Sequence, residues 1–215
     1  MRIQPDSKLL FIGDSITDCN RAKPAGEGLF GALGTGYVSL VDAHFGALCP
    51  EKKIRVLNMG VSGNTVRDLK ARWEADVFAR EPDWVSIMIG VNDVWRQFDT
   101  PLLVEGQVLP DEYAATLDEL VAATKPRVTG IVLMTPFYLE PSRKDRMRAR
   151  LDEYGRIVKR IATKHKTVFC DTQAAFDKVL TTVYPATIGW DRVHPNTTGH
   201  LIAARAFLDA IGFKP

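Results

Sequence analysis

The sequence predicts an α/β protein built on a parallel sheet that helices cover on both faces. Three observations carry this. Five short apolar runs recur along the 215 residues, longer amphipathic segments separate them, and each run is close to continuously apolar. Strands buried on one face alternate apolar and polar residues, whereas strands buried on both faces read as these runs do. Strand and helix in regular alternation imply right-handed crossovers, and therefore parallel strands.

The elements follow in chain order. The strands are expected at LLFI (9–12), IRVLN (54–58), WVSIMIG (84–90), GIVLMT (130–135) and TVFCD (167–171). After the second, Val66, Leu69, Trp73 and Val77 recur at helical spacing with Arg67, Asp68, Lys70 and Glu74 between them, which makes one dry face and one wet face. Further helices are expected over 111–124, 143–164 and 197–210, and His44 sits in another helical pattern. The glycine-rich stretch 19–36 and the stretch 94–110 read as loops long enough to cover a site. No repeat or linker divides the chain, and 1–215 is expected to fold as a single domain.

Composition excludes several classes. With 46% hydrophobic and 25% charged residues the chain matches ordinary globular proteins. A net charge of +2 gives no reason to expect nucleic acid as a partner. The densest basic stretch, SRKDRMRAR at 142–150, contains Asp145 and precedes Asp152 and Glu153, so a solvated helix face is expected there. No apolar run is long enough to span a bilayer, and MRIQPDSKLL carries a charge and a proline where a secretion signal needs an apolar core. Cys19, Cys49 and Cys170 are odd in number and lack CxxC spacing, which argues against a disulfide framework and a zinc site. A cytoplasmic protein without a membrane partner is expected.

Ligands of an open parallel sheet bind beyond the carboxyl ends of its strands. Gly13, Asp14 and Ser15 follow the first run; Asn58, Gly60, Ser62, Gly63 and Asn64 follow or end the second; Gly90, Asn92 and Asp93 follow the third. Ser15 would stand on a tight turn at a helix N-terminus. A serine hydroxyl needs a base within hydrogen-bond reach and a third group to orient that base. Of the four histidines, His44, His165 and His200 read as structural or surface residues, while His194 in WDRVHPN lies three residues after Asp191. That spacing lets one loop present both, although a capping aspartate beside a satisfied histidine also explains it. Candidate oxyanion donors are the backbone N–H groups of Ser15 and Gly63 and the side-chain amide of Asn92, with plain turn-making as the alternative for Gly63 and Asn92. Asp14 and Asp93 are expected to organise turns, and Cys19 to be inert.

In this order, GDSITD with Ser15, NMGVSG with Gly63, GVND with Asn92 and DRVHP with Asp191 and His194 resemble the four sequence blocks of the SGNH (GDSL-type) hydrolases. Ile16 stands where the family name has leucine. The resemblance implies a flavodoxin-like three-layer α/β/α sandwich with a central five-stranded parallel sheet. It also implies a Ser15, His194, Asp191 triad, an oxyanion hole from Ser15, Gly63 and Asn92, and no metal or cofactor. GALGTGYV, SGNTVRDLKARWE, PDWVSIMIG, NDVWRQ, LMTPFY, DTQAAF and WDRVHP extend it toward the intracellular bacterial acetylxylan esterases of that family. The implied substrate is an acetylated xylo-oligosaccharide or similar acetyl ester, with lysophospholipids, thioesters or other acyl groups as the alternative. Because such proteins often assemble, a homo-oligomer is expected, with 94–110 available for contacts.

Trp190, Tyr184 and Trp95 are candidates to contact a sugar, or simply to wall a pocket. Three rival readings are weaker. GEGLFG at 26–31 spells a dinucleotide-binding motif, but it starts a dozen residues past the first strand, with Pro24 between. Asp14 as a phosphoryl acceptor lacks a second acid two residues on, where Ile16 stands. A non-catalytic sugar-binding protein has no use for an intact triad.

Overall fold

The computed structural model describes residues 1–214. Its sheet comprises β1 (Lys8–Gly13), β2 (Arg55–Asn58), β3 (Trp84–Met88), β4 (Gly130–Met134) and β5 (Val168–Cys170), all parallel, in the order β2-β1-β3-β4-β5. Register follows the apolar runs, with Leu9 opposite Val56 on one side and Trp84 on the other. Leu9, Leu10, Phe11 and Ile12 are wholly buried, as a strand covered on both faces must be.

Among the described residues eight α-helices accompany the sheet: α1 (Ser15–Asp18), α2 (Tyr37–Leu48), α3 (Val66–Asp76), α4 (Val91–Asp99), α5 (Pro110–Thr124), α6 (Arg146–His165), α7 (Thr172–Leu180) and α8 (Thr197–Ala210). Helices α2, α7 and α8 pack together on one side, and α3, α5 and α6 on the other. Their starts are written locally. Asp145, Asp171 and Asn196 accept from Arg148 N, Ala174 N and Gly199 N, satisfying first-turn donors of α6, α7 and α8. Asp68 Oδ2 accepts from both Thr65 N and Thr65 Oγ1 at the head of α3.

Two expectations are corrected. The stretch 94–110 is not all loop, because α4 runs to Asp99 and leaves 100–109 as the connection. Arg67 pins that connection, donating to Glu105 O at 2.7 Å and Gln107 O at 2.9 Å. The basic stretch 142–150 is not a uniformly solvated face either. Arg148 is 1% exposed, with Nε on Asp152 at 2.8 Å, Nη2 on Asp177 at 2.7 Å and Nη1 on Glu140 O at 2.6 Å. A guanidinium is tolerated there because each face of its fork has an acceptor.

Order 2-1-3-4-5 puts the switch point between β1 and β3, where successive crossovers leave in opposite directions and open a crevice. The turns after β1, β2 and β3 therefore meet at one place.

Candidate active site

The turn after β1 is built around Asp14. Its Oδ1 accepts from Ile16 N at 3.0 Å, capping α1 and leaving Ser15 as the first helical residue. Burial pushes the Asp14 carboxyl up to about 7, against the pull of that hydrogen bond and of nearby His194. Asp14 thus organises the turn, as expected.

The turn after β2 is held by α1. Asn58 donates to Thr17 O at 2.7 Å, and Asp18 Oδ2 accepts from Ser62 N at 3.1 Å and Ser62 Oγ at 3.0 Å. Burial raises the Asp18 carboxyl, but the bonds from Lys23 and Ser62 outweigh it and bring the group below the usual carboxylate range. Gly60 has no room for a side chain, since a Cβ would sit 2.2 Å from Asp18 N. Gly63 has φ +82° with open space above it, a conformation that favours glycine and exposes its backbone.

The turn after β3 runs directly into α4, where Asn92 and Asp93 are buried. Asn92 donates one amide hydrogen to Asn64 O at 3.0 Å, and Asp93 Oδ1 accepts from Val66 N at 2.9 Å. These bonds lock α4 to the Gly63 loop. Burial pushes Asp93 up to about 7. Among the described residues no acceptor takes the N–H of Ser15 or Gly63, and the second Asn92 amide hydrogen is also free.

The fourth contribution is the loop before α8. His194 Nε2 lies 2.8 Å from Ser15 Oγ, and His194 Nδ1 lies 2.6 Å from Asp191 Oδ2. Asp191 Oδ1 accepts from Val193 N at 2.9 Å and His194 N at 2.7 Å, so the carboxylate is fixed by its own loop. Partial burial raises the Asp191 carboxyl, but its bonds to the His194 ring and backbone and to Val193 N hold it below its ordinary value. Asp191 is therefore ionised at neutral pH and fixes the tautomer with Nδ1 protonated and Nε2 facing the hydroxyl. Arg192, between them, has φ +64° and pairs with Glu140 at 2.6 Å, while Leu139 N donates to Arg192 O at 2.8 Å.

The other histidines do structural work. His200 Nδ1 accepts from Tyr37 N at 3.2 Å, and burial pulls its pKa down to about 4. His165 bonds Asp118, and His44 bonds Leu40 O. Cys19 lies 3.3 Å from His200 Nε2, and burial pushes its thiol up to about 12, so it holds its proton.

The three candidate aromatics separate. Trp95 packs against His194, ring centroids 5.9 Å apart. Tyr184 and Trp190, largely exposed, line with Glu140, Pro141 and Arg192 a cavity of about 470 Å³ beside the Asp191 loop. GEGLFG lies elsewhere: Gly26 bridges Asn58 at the β2 edge and Phe30 is fully exposed. Arg72 escapes the sequence reading; Asn64 figures there only among the polar residues after the second run, and Asp18, closing GDSITD, is given no role there.

Among the described residues no cluster of three or more His, Cys, Asp or Glu side chains has the arrangement to hold a metal, and no helix is long and apolar enough to cross a membrane.

Known proteins agree with this geometry. The chain is 63% identical over 214 residues to an acetylxylan esterase of Geobacillus stearothermophilus, covering 100% of this chain and 98% of the relative. The crystal structure of Axe2, an acetylxylan esterase from the same organism, matches with a TM-score of 0.99 at 63% identity, over 100% of this chain and 98% of that one. Three catalytic mutants of Axe2, S15A, D191A and H194A, match with the same TM-score of 0.99. LAE5, an alpha/beta hydrolase enzyme from the metagenome of Lake Arreo in Spain, matches with a TM-score of 0.98 at 54% identity, over 99% of this chain and 98% of that one. Residues 11–202 match the pattern of the GDSL-like lipase/acylhydrolase family, and the chain belongs to it.

Proposed function

We propose that this protein is a serine esterase that removes acetyl groups from xylo-oligosaccharides. The observation that carries the reading is the unbroken line from Ser15 Oγ through His194 to Asp191, at 2.8 Å and 2.6 Å. The acetyl ester is favoured by the likeness to the Geobacillus acetylxylan esterase over the whole chain.

Ser15 Oγ attacks the acetyl carbonyl carbon as His194 Nε2 takes its proton, and the carbonyl electron pair moves onto oxygen. The N–H groups of Ser15 and Gly63 and the Asn92 amide stabilise that oxyanion; each such donor contributes about 3 to 4 kcal/mol. Asp191 stabilises the imidazolium. When the intermediate collapses, the bond to the sugar oxygen breaks and His194 returns the proton to it. Water, with His194 again as base, then releases acetate from the acetyl-enzyme. Trp95 walls the site beside His194, and exposed Trp190 and Tyr184 are the candidates to meet sugar rings farther out.

Three free thiols suit a reducing compartment, and we place the enzyme in the cytoplasm, acting on short oligomers. Exposed Leu102, Leu103 and Val104, with Tyr184 and Trp190, favour assembly into a homo-oligomer. A 23.9 kDa particle in light scattering refutes the assembly.

The test of function is acid release from an acetylated xylo-oligosaccharide, nitrophenyl acetate and nitrophenyl palmitate, with Ser15→Ala alongside. Turnover of the first two, abolished in Ser15→Ala, is expected. Preference for palmitate moves the substrate to long-chain acyl esters, and activity that survives Ser15→Ala refutes the serine mechanism.

A further inference from the structure

We infer that Arg72 is a positioning residue that clamps the Ser15 turn and the Gly63 loop into one rigid unit. It lies on α3, outside the four blocks that mark the site, with its side chain 17% exposed. Nη2 donates to Gly13 O at 3.0 Å, Nη1 to Met59 O at 2.8 Å and to Asp76 Oδ2 at 2.6 Å, and Nε to Asn64 Oδ1 at 2.7 Å. Gly13 lies two residues before Ser15, Met59 begins the loop after β2, and Asn64 follows Gly63. Asn64 O in turn receives the Asn92 amide. One planar group thus bonds the strand end two residues before Ser15 and the side chain next to Gly63, and through Asn64 it is linked to Asn92.

Packing and helix stability do not account for this pattern. An ion pair four residues apart, such as Arg72 with Asp76, is satisfied on the helix surface and needs no further partner. The remaining donors go to three acceptors brought together only at the switch point. A rigid fork reaches divergent acceptors simultaneously, whereas the compact ammonium of lysine does not span them. Gly13 O also accepts from Val61 N at 3.1 Å, so the strand end is held by the loop and by the guanidinium together. Asp76 balances the charge, which leaves geometry as the main contribution of Arg72.

The inference rests on the esterase reading above. Oxyanion donors act only when held within a fraction of an ångström of the developing charge, and a misplacement of about 1 Å costs about 100-fold. Arg72→Met, which keeps the stem and removes the fork, is expected to lower kcat on nitrophenyl acetate about 100-fold with KM changed less than about threefold. The pH at which the rate half-rises should stay put, because Arg72 does not touch His194. Binding of a short alkyl boronic acid, whose serine adduct mimics the tetrahedral intermediate, should weaken in parallel with kcat/KM. Asn64→Ala cuts only the link to the oxyanion loop, and about a 10-fold loss of kcat is expected there, with no additional loss when combined with Arg72→Met.

A folded Arg72→Met enzyme with wild-type kcat, or one whose loss lies wholly in KM, overturns the inference. Should Arg72→Met not fold, Asn64→Ala decides: unchanged kcat and boronate affinity overturn it. Ser15→Ala in the same assay keeps the two readings apart, since failure of the esterase reading shows as wild-type turnover no greater than that of Ser15→Ala.

Discussion

Replacing Arg148 by methionine removes a buried cation while keeping most of its apolar stem. Three hydrogen bonds are lost, to Asp152, Asp177 and Glu140 O, at 2.6 to 2.8 Å. Bonds to charged groups are each worth about 1.5 to 3 kcal/mol, but the folded state no longer pays to desolvate a guanidinium, which returns several kcal/mol. Removing one partner of a fully buried pair typically costs about 3 to 5 kcal/mol. Here the stranded carboxylates are 22% and 25% exposed, and Asp177 keeps Gln173 Nε2 at 2.9 Å, so the low end applies. The expected loss is about 3 kcal/mol. For a chain of this length that is about 8 °C in Tm. Urea unfolding followed by circular dichroism, with a thermal scan in parallel, measures both. A loss below about 1 kcal/mol would refute the reasoning, because desolvation would then have cancelled the three bonds. Adding Asp177→Asn to Arg148→Met should recover part of the loss by neutralising a stranded charge, and a further loss in the double variant counts equally against it.

Other expectations concern the site. Asp191→Asn keeps the loop's size but loses the imidazolium partner and the tautomer it enforces; kcat should fall on the order of 10³- to 10⁴-fold with KM little changed, by steady-state hydrolysis of nitrophenyl acetate. Asp93 carries a folded-state pKa of about 7 against an ordinary 3.8, so it costs stability as pH rises between those values. The Tm of Asp93→Asn relative to wild type should therefore climb from pH 4 to 8, by the equivalent of about 4 kcal/mol, and a constant difference in calorimetry refutes an Asp93 proton. Because the Cys19 thiol keeps its proton, iodoacetamide at pH 8 should leave it unmodified in the folded enzyme by peptide mass mapping; rapid alkylation with loss of activity contradicts that.

The chemistry of this protein is written where chain neighbours suffice to express it. Asp14 and Ser15 form one turn, and Asp191 orients His194 from three residues away, so a short stretch carries each arrangement. Helices α3, α5, α6 and α8 are legible for the same reason, since each holds an apolar stripe, with a capping side chain at the head of α3, α6 and α8 and a proline in the first turn of α5. Helix α4 is obscure because four consecutive residues, Val91 to Val94, are buried, two of them polar. Serving the site breaks the pattern that marks a helix. Short α7 has too few turns to establish a periodicity.

What lies outside any local reading is which distant groups meet. Arg72 resembles any charged residue on the wet face of a helix, yet its acceptors stand 13 and 59 residues away, at the ends of two strands. Arg148 sits in a run of cations, and its burial follows from how α6 and α7 close on the segment after β4. Local spacing encodes the groups that react, because bonded geometry already holds neighbours close. The residues that hold them in register belong to the packed sheet, because their partners come within reach only when β1, β2 and β3 lie side by side.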